Sequence, residues 1–262
     1  MAVISLIGGI TLGLLLCTAM EKLQREIKEK GRRKKVLFFG DSITQHGFNT
    51  AIDGWVSKMA EWWIRRVDVL NRGYSGYNSR WALLMIQEAV VKEDPDFVFI
   101  FFGANDSVDE KVVQHVPLNE YRQNIFDIAN TIRNQLPKIP IVIITPPPIW
   151  EDLLQDFNRN KGKAILIDRT NERALQYADA CKDVGKTLNI PVVNSWEAME
   201  GFSSNRANYL SDGLHLSSIG NLKLFDAVML VVLRYFPEWN PDIMEMQMPQ
   251  WAQIDPTNPK FW

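Results

Sequence analysis

Cysteine and histidine are scarce in this chain: Cys17 and Cys181, and His46, His115 and His215, among 262 residues. One cysteine in an apolar run and one in an expected helix supply neither a disulfide framework nor a cysteine-based zinc site. Positive charge is not in surplus either, since 29 Lys and Arg stand against 31 Asp and Glu for a formal net charge of -2. Binders of nucleic acid need a basic surplus to meet phosphate, so no nucleic-acid partner is expected. The chain also lacks fixed-period repeats and low-complexity tracts, and no GKS or GKT follows its glycine turns, which argues against a phosphate-binding P-loop. Nothing calls for a metal or a cofactor.

With 46% hydrophobic and 23% charged residues, the chain has the apolar surface for one large α/β domain. Residues 3–20 carry no charge, a run at the short end of what spans a bilayer, and they form a candidate membrane anchor. Lys22, Arg25, Lys28, Lys30, Arg32, Arg33, Lys34 and Lys35 follow it; the positive-inside rule keeps that flank, and the domain after it, in the cytosol. Gly9 and Gly13 add one GxxxG spacing. Two alternatives stand: a signal peptide leading to the secretory pathway, although no basic n-region precedes the run, or a soluble cytoplasmic protein with an over-extended start. Residues 21–33 read as a charged helical stalk.

From residue 34 the periodicity switches repeatedly. Short apolar, β-rich runs at 35–39, 67–71, 96–102, 141–145 and 190–194 suit strands buried on both faces. Amphipathic stretches at 54–66, 78–93, 118–136, 165–188 and 217–236 alternate with them, which predicts a parallel sheet between two helical layers. The segment from Pro237 to Trp262, rich in Pro, Met and Trp, has no sustained helical period; it is expected to pack across the domain, with Trp239, Trp251 and Trp262 as anchors and 241–262 as the tail beyond the domain.

Ligands of an open parallel sheet bind beyond the carboxyl ends of its strands. Turns fall there, all but the fourth polar and glycine-bearing: "GDS" at 40–42, "RGYSGYN" at 72–78, "GAND" at 103–106, "PPPIW" at 146–150 and "SDGLHLS" at 211–217. Ester hydrolysis by serine needs a nucleophile, a histidine base, a carboxylate to orient it and donors for the oxyanion. His115 has no acid or serine near it in sequence. His46 follows Ser42 by one helical turn, but its ring is expected to point along that helix, away from the crevice. His215 has Asp212 three residues before it, close enough to hold Nδ1 and leave Nε2 free; Asp212 as a mere helix N-cap is the alternative. The stretch "GYSGY" lacks the closing glycine of a GxSxG elbow, so Ser75 is not taken as nucleophile.

The blocks "FGDSIT", "GYSGYN", "GAND" and "DGLH", in this order, resemble the four conserved blocks of the SGNH (GDSL) hydrolase superfamily. The phrases "GYSGYNSRWAL", "FFGAND", "ITPPPI" and "SDGLHLS" are most similar to its isoamyl-acetate-hydrolysing esterase group. The resemblance spans about residues 34–240 and implies a flavodoxin-like three-layer α/β/α fold with a five-stranded parallel sheet. It implies Ser42 as nucleophile, His215 as base and Asp212 as its orienting carboxylate. The oxyanion hole would be the backbone N–H groups of Ser42 and Gly76 with the side-chain amide of Asn105. Asp41 and Asp106 belong to the blocks but are expected to tie their turns by hydrogen bonds to backbone. Trp150 and the polar loop after it, to about Lys163, are candidate walls of the pocket for a small-molecule ester.

The expected activity is hydrolysis of small to medium acetate-type esters through an acyl-serine. An acyltransferase or a lysophospholipase would use the same residues. A metal-dependent phosphoesterase using Asp41, Asn105, Asp106 and His215 as ligands, or a binding module without catalysis, belongs to a different class.

Overall fold

The computed structural model describes residues 32–162 and 168–258. They fall into two compact units: Lys34–Glu245, and a small one built from the residues on either side of it in sequence. In the larger unit five strands, β1 (Lys34–Gly40), β2 (Val67–Gly73), β3 (Phe97–Phe101), β4 (Ile141–Ile144) and β5 (Val192–Val193), pair in the order β2-β1-β3-β4-β5. Every pairing is parallel. Each lies within or close to an apolar run picked from the sequence.

The two-sided burial of β1 and β3 accounts for their composition. In β1, Val36 and Phe38 face one core while Leu37 and Phe39 face the other; in β3, Phe97, Phe99 and Phe101 alternate in the same way with Val98 and Ile100. A two-residue period with both faces dry demands a continuous apolar run. Helices α1 (Ser42–Gln45), α2 (Trp55–Trp62), α3 (Ser79–Ala89), α4 (Leu118–Gln135), α5 (Glu151–Asn160), α6 (Asn171–Leu188), α7 (Ser195–Ala198) and α8 (Ser218–Tyr235) complete the domain. The first core takes Trp55, Val56 and Met59 from α2 and Leu224, Val228 and Val232 from α8. The second takes Ile86 from α3, Ile125 and Ile128 from α4, and Cys181 and Val184 from α6.

Several sequence expectations change. The polar loop after Trp150 is instead the helix α5, with Glu151 and Asp152 in its first turn and Arg159 in its last, the charge arrangement that complements a helix dipole. Helix α6 begins at Asn171, where Thr170 caps it by accepting from the Arg173 N–H at 3.2 Å; residues 163–167, included in the expected helix, lie outside the described residues. Trp239 is buried in the first core and its carbonyl accepts from Trp63 Nε1 at 2.8 Å, whereas Trp251 is exposed. Trp262, the run 3–20 and the stalk to residue 31 also lie outside the described residues. Among those described, no helix is long and apolar enough to cross a membrane.

Phe99 sits fully buried at the sheet centre, stacked between Phe38 at 4.7 Å and Phe97 at 4.5 Å. Truncating it leaves a cavity that the neighbouring strands are too constrained to fill. Phe99→Ala is expected to lower the unfolding free energy by about 3–5 kcal/mol in urea titrations; a loss below 1 kcal/mol would mean that this layer repacks.

Candidate active site

Strand order reverses at β1, whose successor β2 lies on one side and β3 on the other. The crevice of an open parallel sheet forms at such a switch point. The chain leaves β1 through Gly40 and Asp41 and turns at once into α1, so Ser42 stands at the strand's carboxyl end as the first helical residue. This tight exit depends on missing side chains. A Cβ on Gly40 would lie 2.1 Å from Thr44 Oγ1, and one on Gly73, its partner in register on β2, would lie 2.0 Å from the Gln45 nitrogen. Asp41 caps α1, its Oδ1 accepting from the Ile43 N–H at 2.9 Å.

Ser42 meets a segment 173 residues away in sequence. Its Oγ is 3.0 Å from His215 Nε2, and His215 Nδ1 is 2.7 Å from Asp212 Oδ2. The other Asp212 oxygen accepts from the backbone N–H groups of Leu214 at 3.0 Å and His215 at 2.7 Å. One carboxylate thus folds the turn and holds the imidazole. It is not a helix cap, because Ser217 caps α8. Burial pushes the Asp212 carboxyl up, but the His215 ring and the two amides outweigh it and hold it below its ordinary value. Gly213 makes the turn feasible at φ +88, where a Cβ would meet Trp150 O and the Leu154 nitrogen at 2.5 Å each.

Ser42, Gly76, Asn105, Asp212 and His215 line one cavity of about 470 Å³. Gly76 is held by Gln114, whose Nε2 donates to the Gly76 carbonyl at 2.7 Å. Asn105 Nδ2 donates to Tyr77 O at 2.9 Å, and its Oδ1 accepts from Arg169 Nη2 at 3.3 Å. The N–H groups of Ser42 and Gly76 have no acceptor among the described residues. Leu154 and Phe157, one turn apart on α5, supply apolar wall, and Arg169 and Asp168 supply charge.

Trp150, expected in that wall, is not among the lining residues. It packs on the first core with the Arg206 guanidinium 4.6 Å over its ring, while its N–H donates to Gly213 O at 3.0 Å. It supports the histidine turn from behind, and the next two turns of α5 face the cavity. His46 also departs from expectation. Its ring meets that of His215 edge to face at 5.6 Å, and both line a smaller cavity of about 180 Å³ with Ile43, Asn49 and Ile52. The ring points toward the site because α1 ends at Gln45 and the chain tightens into a 3-10 turn over His46–Phe48. His115 Nδ1 pairs with Val108 O at 2.8 Å, away from the site, and Ser75 lies on the cavity rim.

Sequence reasoning missed Gln114, Phe157 and Arg169. The acidic first turn and basic last turn of α5 were a signal for the helix that carries Phe157; no local pattern marks the other two. Among the described residues no group of three or more His, Cys, Asp or Glu side chains comes together as a metal site. Asp41 is engaged with Ile43, and Asp106 with Ser79 N–H at 2.9 Å.

The fold and site define a class: a parallel-sheet hydrolase with a serine at the carboxyl end of β1 and a histidine beside it. The GDSL-like lipase/acylhydrolase family matches residues 38–222. A rat protein named isoamyl acetate-hydrolyzing esterase 1 homolog (Rattus norvegicus) is 38% identical over 236 residues, covering 87% of this chain and 90% of its own. A GDSL esterase/lipase of Arabidopsis thaliana is 40% identical over 205 residues, covering 75% and 84%. The crystal structure of a lipase/acylhydrolase from Enterococcus faecalis superposes with a TM-score of 0.60 at 26% identity, over 76% of this chain and 95% of that one. The chain belongs to the GDSL-like lipase/acylhydrolase family and is a carboxylic-ester hydrolase.

Burial raises the carboxyl of Asp106 from 3.8 to about 7, against the lowering effect of Ser79 and with the charge of Asp41 adding to the rise. Its Oδ2 is buried and has no hydrogen-bond partner among the described residues. The unfolded chain ionises this group near 3.8, so its contribution to stability is full below that pH and is lost as pH rises to about 7. Asp106→Asn keeps an acceptor for Ser79 but does not titrate. The melting temperature of the variant relative to the parent should therefore rise between about pH 4 and pH 7 and then level off; a flat difference would mean an ordinary carboxyl.

Proposed function

We propose that this esterase hydrolyses small to medium acetate-type esters through an acyl-Ser42 intermediate. The observation that carries the reading is the unbroken hydrogen-bond chain from Asp212 Oδ2 through His215 to Ser42 Oγ. His215 Nε2 takes the hydroxyl proton as Oγ attacks the ester carbonyl, and Asp212 holds the other ring nitrogen protonated and supports the imidazolium. The oxyanion is received by the N–H groups of Ser42 and Gly76 and by the Asn105 amide. As the tetrahedral species collapses, His215 returns the proton to the leaving alcohol. Water then enters, gives its proton to His215 and attacks the acyl-serine; the second collapse frees the acid and restores the hydroxyl. The preference for short acyl groups rests on the similarity to the rodent protein, whose name states an acetate ester.

Initial rates on p-nitrophenyl esters from acetate to dodecanoate test this. Rates should peak at short chains and ignore EDTA. Ser42→Ala should lose activity on the order of 10⁶-fold, and Asn105→Ala about 10²–10³-fold in kcat. Turnover retained by Ser42→Ala would sink the mechanism, and a peak at long chains would replace the acetate preference by lipid esters.

A further inference from the structure

Arg169 reaches the site from outside every motif that the sequence offers. It lies in the short stretch between α5 and α6, its side chain is only 11% exposed, and it lines the cavity beside Asn105. Its guanidinium serves three acceptors. Nη1 pairs with Asp168 Oδ2 at 2.8 Å, Nε donates to Ala104 O at 3.3 Å, and Nη2 donates to Asn105 Oδ1 at 3.3 Å. The last two belong to the turn that follows β3. Two more bonds tie the neighbouring backbone to this region: Asp109 N–H donates to Asp168 O at 2.6 Å, and Arg173 Nη1, from the first turn of α6, donates to Ser107 O at 3.3 Å.

A carboxamide can be turned through 180° with little steric change, and only one orientation offers hydrogens to a substrate. At Asn105 the choice is made by two partners. A donor that has no acceptor function sits on Oδ1, and a carbonyl, Tyr77 O, takes one hydrogen from Nδ2. The second Nδ2 hydrogen is then left for the oxyanion. A cation on the amide oxygen also draws electron density from the nitrogen, which strengthens that remaining donor. Because Asp168 neutralises the guanidinium, this arrangement adds no net charge to the cavity.

We infer that Arg169 is a positioning residue of the oxyanion hole, fixing the orientation of the Asn105 carboxamide and polarising it before substrate arrives. The inference rests on the ester-hydrolase reading of Asn105. A lysine could not replace the guanidinium, since a single ammonium on a flexible stem cannot span Ala104, Asn105 and Asp168 in a fixed fork.

The test is steady-state hydrolysis of p-nitrophenyl acetate by the full chain, with thermal melts on every variant. Arg169→Lys keeps the charge and loses the fork. Asp168→Asn with Arg169→Met removes both partners, so that no buried charge is left unpaired. Each should lower kcat about 10–100-fold, the range seen when the hydrogen-bond partners behind metal ligands are removed, with KM within about twofold. In an Asn105→Ala background the same changes should cost less than about threefold more, because the residue through which they act is gone. A KM increase at unchanged kcat would make Arg169 a substrate-binding group and overturn the inference, as would a full multiplicative loss on top of Asn105→Ala, or no loss at all. If only the double variant fails to fold, Arg169→Lys decides. Ser42→Ala runs in parallel: full turnover there overturns both readings, whereas serine-dependent activity with an unchanged Arg169→Lys overturns this one alone.

Discussion

A strand buried on both faces cannot shift without disturbing two cores at once. β1 is in that position, with Phe38 wedged against Phe99 and Trp55 on one side and Phe39 against Phe102 on the other. Its carboxyl end is therefore among the least movable points of the backbone. Ser42 follows this end by two residues, and the contact of its Oγ with His215 inherits that rigidity from the sheet. The glycines at the ends of β1 and β2 serve the same constraint, because α1 can start beside β2 only where no Cβ intervenes.

Around that fixed point the other parts are held by polar ties, most of them between segments far apart in sequence. The turn after β2 is held by Gln114, the turn after β3 by Arg169 and Ser79, and the histidine turn by Trp150 backbone and Asp212. Preorganisation of this kind matters for catalysis, since donors that are already aimed need no reorganisation as charge develops. It also has an electrostatic cost. Burial raises the Asp41 carboxyl to about 6, opposed by its bond to Ile43 and by the charges of His215 and Arg169, so that one buried arginine stands among Asp41, Asp168 and Asp212.

Much of this architecture was legible in the chain. The runs at 35–39 and 96–102 announced two-sided burial because a strand between helical layers has no polar face to show. Ser42, His215 and Asp212 could be singled out as candidates because each sits in a polar turn at a strand end or helix start, and the structure brings the three side chains together. His46 was misjudged because its direction depends on where α1 stops, after one turn, and on the 3-10 geometry that follows. Trp150 was misjudged because the polar stretch behind it is a helix, which moves the cavity wall forward to Leu154 and Phe157.

By itself the sequence determined the alternation of strands and helices, the parallel sheet, and the short list of groups able to do ester chemistry. Periodicity and turn chemistry are local and are written in neighbouring residues. Only the tertiary structure decided that Gln114 would hold Gly76, that Arg169 would sit on the Asn105 amide, and that His46 would face His215. These contacts join loops that share no local pattern. A long polar side chain gives no sign in sequence of which distant turn it will meet, because the meeting place is set by the packing of the helices that carry it.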